Sequence, residues 1–123
     1  MADTDKRTIL IVLRRSPYGS SLAKAAVDVA LATAAFDQAV DLLFTGEGVL
    51  QLMPNQESHS LGKKNIGRQL ASLPMYDINR VYVDAEAAAR YELDITTVSV
   101  EAILLTPREM HQLMVDYDHL LGL

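Results

Sequence analysis

From Ile9 to Leu13 every side chain is a large aliphatic, preceded by the β-branched Thr8. A strand with one face in water alternates apolar and polar side chains, whereas one covered on both faces does not, so Thr8–Leu13 predicts a strand buried on both sides. After a turn at residues 14–19, Ser20 or Ser21 can cap a helix that reaches about Ala35. Leu22, Ala26, Val29, Thr33 and Phe36 form one stripe of that helix, alanines and valines fill most other positions, and only Lys24 and Asp28 mark a clear solvent edge. A helix so apolar around its circumference is buried on more than one side. In a domain this small, the second side is assigned to another subunit.

The rest of the chain alternates in the same way. Val40–Phe44 predicts a second strand, Gly46–Met53 a short helix ended by Pro54-Asn55, residues 55–60 a polar loop, and Lys63–Leu73 an amphipathic helix. Arg80–Val83 predicts a third strand, Asp84–Tyr91 a short alanine-rich helix, and Val98–Leu105 a fourth strand. Thr106 as N-cap and Pro107 at the first helical position open a helix to about Asp116, and His119–Leu123 predicts a fifth strand. Strands alternating with helices imply an α/β fold: one domain over residues 1–123, a three-layer sandwich with a mostly parallel five-stranded sheet and helices on both faces.

Composition narrows the chemistry. The 123 residues contain no cysteine, which excludes disulfides, thiolate nucleophiles and cysteine-held metals from this chain. No stretch has the length of a membrane span or the pattern of a signal peptide, so a cytoplasmic location is expected. Charge is lopsided: residues 1–83 carry nine basic and eight acidic groups, residues 84–123 two basic and eight acidic, for a net charge of −5. The closest approach to a basic face is Lys63, Lys64 and Arg68, for which a solvated helix surface is the simpler account. Direct nucleic-acid binding is therefore not expected.

Each candidate site has a plainer explanation beside it. Ser16, Gly19, Ser20 and Ser21 lie between the first strand and its helix, where α/β proteins cradle anions, but neither GxGxxG nor GxxxxGK[ST] is present, and a capped turn accounts for them. Gly46-Glu47-Gly48 follows the second strand at the sheet's carboxyl edge. Glu47 there suits a general base without an identifiable partner, while the two glycines allow a tight turn. His59, His111 and His119 are spaced too widely for a helical metal pair, and no metal or cofactor site is expected. Glu101 is the odd charge inside the apolar run Val98–Leu105, belonging either to a sheet edge or to a paired subunit contact. Met53, Met75, Met110 and Met114 sit in apolar patterns as core or interface filler.

Three stretches together resemble a known family: Ser16-Pro17-Tyr18-Gly19 before an alanine-rich helix, the run from Phe44 to Gln56, and Met75-Tyr76-Asp77-Ile78. Asp116-Tyr117-Asp118 before the apolar tail fits as well. Over nearly the whole chain, in order and with similar spacing, the sequence is similar to the TusC/DsrF branch of the DsrE/DsrF-like sulfur-relay proteins. The resemblance implies a small α/β domain that assembles with two paralogous subunits, TusB-like and TusD-like (DsrH and DsrE in sulfur oxidisers), as a dimer of heterotrimers. It further implies a relay that takes persulfide sulfur from TusA and passes it through TusE towards 2-thiouridine at the tRNA wobble position. In that family the sulfur-carrying cysteine sits chiefly on the TusD/DsrE-type subunit, so a chain without cysteine agrees with the TusC/DsrF branch.

The expectation is thus a non-catalytic structural subunit with no cofactor. Its subunit contacts are placed on Leu22, Ala26 and Val29 of the first helix and on Phe44, Gly46, Gly48, Val49, Gln51, Leu52 and Pro54 after the second strand. The alternatives are a DsrF-type subunit in dissimilatory sulfur oxidation, or a small anion- or nucleotide-binding protein using Ser16, Gly19, Ser20 and Ser21. An enzyme acting through Glu47 or a serine has the least support.

Overall fold

The structure is a computed structural model, which describes residues 8–14, 29, 32, 39–52, 73–76, 78, 80–98 and 100–122. Five strands, β1 (Thr8–Leu13), β2 (Ala39–Phe44), β3 (Val81–Asp84), β4 (Ala102–Leu105) and β5 (His119–Gly122), form one sheet in the order β4-β3-β2-β1-β5. All four pairings are parallel. Two α-helices, α1 (Ala85–Arg90) and α2 (Pro107–Asp116), and three 3-10 segments, Gly46–Leu52, Leu73–Tyr76 and Ile95–Thr97, complete the described elements. Val29 and Ala32, within the expected first helix, are helical. The expected polar loop at residues 55–60 lies outside the described residues, as does the expected helix Lys63–Leu73 except Leu73, which opens a 3-10 turn.

Strand order explains the layers. From β1 to β4 each strand is laid beside the last in one direction, whereas β5 returns to the far side of β1. Right-handed crossovers put connections of opposite direction on opposite faces. Accordingly, the 3-10 segment Gly46–Leu52 and α1 pack with Ile11, Leu13, Leu42, Phe44, Val81 and Val83 on one face. On the other face, Met110, Leu113 and Met114 of α2, with Tyr117 just beyond it, pack against Leu10, Val12, Leu43 and Tyr82. Alternation along β1 sends Leu10 and Val12 to the second face and Ile11 and Leu13 to the first, and all four are buried. The unbroken apolar run of β1 is therefore spent on both layers. Each fully buried aliphatic side chain of this kind stabilises the fold by about 1.5–3 kcal/mol.

Local signals set the helix ends. Thr106 accepts a hydrogen bond at its Oγ1 from the Glu109 amide at 3.2 Å, and Glu109 accepts one from the Thr106 amide at 2.9 Å, a reciprocal capping box with Pro107 at the first turn. At the other end of α1, Glu92 has φ +56°, in the left-handed region. The Leu93 amide reaches back to the Ala88 carbonyl at 2.8 Å and the Glu92 amide to that of Ala89 at 3.2 Å, closing the helix without the usual glycine.

The fourth strand is shorter than the Val98–Leu105 expected. Asp94 caps a 3-10 turn at Ile95–Thr97, accepting from the Thr96 amide at 3.0 Å and the Thr96 hydroxyl at 2.6 Å, and β4 begins only at Ala102. Its four residues match the four of β3 with which they pair. Glu101 consequently stands exposed before the strand rather than inside it. Val100 is buried in the first layer without being in a strand, which is why the apolar run reads longer than the strand it feeds.

Candidate functional site

The carboxyl edge of the sheet is built around two glycines and one aspartate. Where β2 ends, the Thr45 amide donates to the Leu13 carbonyl at 3.0 Å, which ties the turn to the end of β1. Gly46 follows with φ +54°, a conformation that a side chain resists. Gly48 is needed for a different reason. A Cβ at that position would lie 2.0 Å from the Leu13 carbonyl oxygen and 2.7 Å from its carbon, so the 3-10 segment passes β1 at a distance only glycine permits.

Asp84, at the end of β3, binds this turn from the neighbouring strand. One carboxylate oxygen accepts from the Thr45 hydroxyl at 2.9 Å and the Gly46 amide at 3.2 Å. The other accepts from the Glu86 and Ala87 amides at 3.1 and 3.2 Å, capping α1. Burial alone would raise this carboxyl, but the hydrogen bonds from Thr45, Gly46, Ala87 and Glu86 outweigh it and hold Asp84 below its ordinary value. Asp84 is therefore an anion at neutral pH whose oxygens are both engaged, a clasp between two strand ends rather than a base or nucleophile. An aspartate just before an alanine-rich run is legible as a helix cap. Its partners Thr45 and Gly46, 39 and 38 positions away, are not.

A second polar cluster lies under α2. The Tyr117 hydroxyl donates to the Asp41 carboxylate. Burial raises the Asp41 carboxyl above its ordinary value, against the opposing pull of the Tyr117 hydrogen bond and the Arg80 charge. Burial, the hydrogen bond to Asp41 and the negative charge of Asp41 together push the Tyr117 hydroxyl far above that of a free tyrosine, with Tyr82 adding to the effect. Tyr117 is thus a permanent donor that pins the end of α2 to the middle of the sheet.

The expected site residues are dispersed by the fold. Of the positions placed at a subunit contact, Phe44, Gly48, Val49, Gln51 and Leu52 are buried inside this chain, because the 3-10 segment turns its apolar side onto the first layer. They have no free surface to offer a partner. Gly46 is half-buried and Val29 is exposed, while Leu22, Ala26 and Pro54 lie outside the described residues. Ser16, Gly19, Ser20 and Ser21, the anion-site alternative, also lie outside them, with His59, Met53 and the Lys63–Lys64–Arg68 group. Glu47, His111 and His119 are exposed. Met110 and Met114 pack under α2 as filler, but Met75 is 85% exposed and fills nothing in this chain. Among the described residues, no cluster of three His, Asp or Glu side chains is placed to hold a metal ion, and no helix is long and apolar enough to cross a membrane.

Comparison with known proteins agrees with this architecture. A solved structure of the ychN protein from E. coli superposes with a TM-score of 0.81, covering 95% of this chain and 99% of that one, at 18% identity. This likeness extends to the fold alone. A protein TusC homolog from Pseudomonas aeruginosa is 32% identical over 117 residues, 95% of this chain and 98% of its own. The intracellular sulfur oxidation protein DsrF of Allochromatium vinosum is 40% identical over 74 residues, 60% of this chain and 54% of its own. The model of the DsrE/DsrF-like family matches residues 7–123, from just before β1 through the last strand, and the chain belongs to that family.

Proposed function

We propose that this chain is a non-catalytic structural subunit of a cytoplasmic sulfur-transfer complex, one DsrE/DsrF-like domain that positions a cysteine-bearing paralogue. The observation that carries the reading is the absence of any cysteine from all 123 residues of a chain whose relatives are named for sulfur relay and sulfur oxidation. A persulfide needs a thiol, so sulfur in transit has no covalent seat on this chain. The carboxyl edge supports the same view: Asp84 holds a negative charge there and spends its oxygens on Thr45, Gly46 and α1.

In this reading the chain assembles with TusB-like and TusD-like subunits as a dimer of heterotrimers, receiving sulfur indirectly from TusA and passing it through TusE for wobble 2-thiouridine. Co-expression with both paralogous subunits should give a stoichiometric hetero-oligomer by size exclusion with light scattering. Deleting the gene should abolish 2-thiouridine in hydrolysed tRNA, measured by mass spectrometry. A chain that stays monomeric in the presence of both subunits would falsify the reading. The second reading, a DsrF-type subunit in sulfur oxidation, is favoured by the higher identity to DsrF over the shorter match. It predicts unchanged tRNA thiolation and a loss of sulfur oxidation in the same deletion strain.

A further inference from the structure

The last two elements of the chain are attached more loosely than the rest. Every residue of β5 is exposed, no residue of α2 is fully buried, and among the described residues β5 pairs with β1 alone. By contrast, β2 and β3 each have a strand on either side and hold Leu42, Leu43, Phe44, Val81 and Val83 in the core. Segments with few buried apolar side chains and solvent-exposed backbone hydrogen bonds open at a fraction of the free energy of global unfolding.

Geometry joins the two elements into one piece. Tyr117 is the C-cap of α2 and stands two residues before His119, the first residue of β5. It packs in the second layer with Leu10, Val12 and Leu43, and its hydroxyl donates to Asp41. The register sets Leu120, Leu10 and Asp41 in one row across β5, β1 and β2. Tyr117 therefore reaches over β1, past the buried Leu10, and fastens to the strand beyond it. With Asp118 alone between Tyr117 and β5, release of Tyr117 frees the strand together with the helix end. The start of α2 is fixed: β4 is paired with β3, Leu105 is buried, and the capping box of Thr106 and Glu109 follows at once. The fastening itself is a moderate one. Burial disfavours the Asp41 anion, so the Tyr117 hydroxyl offsets a cost that opening also relieves.

We infer that α2 and β5 form a C-terminal arm, pivoting at Thr106 and buckled by Tyr117 onto Asp41, that opens as one unit while β1 to β4 stay folded. Opening bares Leu10, Val12 and Leu43 and frees the edge of β1 that β5 occupies. The arm is a property of this chain and does not depend on the subunit reading above.

The test is native-state hydrogen exchange of the full chain, read by mass spectrometry of its peptides. Amides of α2 and β5 should be protected about a hundredfold less than those of β2 and β3. Tyr117→Phe keeps the ring and removes the donor. It should lower protection of α2 and β5 together by about tenfold, with β2 and β3 unchanged. Leu113→Ala, which loosens the helix without touching the hydroxyl, should lower protection of β5 along with that of α2. Equal protection of all four elements in the wild-type chain overturns the arm, as does a uniform loss over the whole chain in Tyr117→Phe. Unchanged exchange in Tyr117→Phe overturns the buckle. A loss confined to α2 in both variants, with β5 as in the wild type, overturns the single unit.

Discussion

The two faces of the sheet differ in how completely this chain finishes them. Under the 3-10 segment and α1, Leu13, Leu42, Phe44, Val49, Val81 and Val83 are all but sealed from water. Under α2 only Leu10, Val12 and Leu43 reach that state, no residue of the helix is fully buried, and Leu120 of β5, on the same face, is 51% exposed. A ten-residue helix is about 15 Å long and 10 Å wide, and it covers less than half of a five-stranded sheet about 24 Å across. The first face is sealed where the 3-10 segment and α1 lie over it, although Leu121, beside Ile11 on that face, is 39% exposed. On the second face, among the described residues, α2 leaves more apolar surface in solvent, with Leu120 beside buried Leu10 51% exposed.

The strongest way to break this comparison is to truncate one side chain on each face. Leu42→Ala, in the first layer, should cost about 2–5 kcal/mol and lower the Tm of the isolated chain by roughly 10 °C or more. Leu113→Ala, half-buried under α2, should cost about 1 kcal/mol. Equal losses in thermal melts of the two variants would show that both faces are equally closed in the lone chain.

A smaller effect separates the two aspartates by pH. The folded Asp84 carboxyl titrates below its ordinary value of 3.8, so its contribution is full above that value and is lost as pH falls through the lower folded one. Asp41 works in the opposite sense. Its folded carboxyl titrates above 3.8, so its contribution is present below that value and is lost as pH rises through the raised one. Urea midpoints measured from about pH 2 to 6 should therefore fall less steeply on the acid side in Asp84→Asn, and should lose the decline just above 3.8 in Asp41→Asn. Parallel curves for the two variants would contradict the opposite settings of the two sites.

The smallest expected change concerns the end of α1, on the first face. Glycine at position 92 relieves the left-handed backbone that Glu92 now adopts, offset in part by the freedom glycine loses on folding. Glu92→Gly should stabilise the lone chain by about 0.5 kcal/mol, with no effect on assembly. A lower Tm in that variant would mean that the Glu92 side chain makes a contact worth more than the strain.

Much of this was legible along the chain wherever a signal acts within a few residues. The apolar run of β1 announced burial on both faces, and Thr106-Pro107 announced the start of α2. The absence of cysteine by itself removes thiol chemistry from this chain. What escaped depended on distant neighbours. Phe44, Val49 and Leu52 read as a contact surface and proved to be core, since an apolar segment looks the same whether its own chain or another covers it. The Val98–Leu105 run promised a long strand, yet pairing with a four-residue β3 left only Ala102–Leu105 in the sheet. The role of Asp84 as a clasp needed β2 to be set beside β3.

Periodicity, capping and turn chemistry are short-range, and they settled which segments form strands and helices and which reactions this chain has no groups to perform. Strand order is long-range: it depends on the direction in which each crossover returns, and here it brought the last strand to the far side of β1. That placement, and no feature of His119–Gly122 on its own, left Leu120 and Leu121 in solvent beside buried Leu10 and Ile11. Hydrophobicity belongs to a residue, whereas burial belongs to whatever is stacked against it.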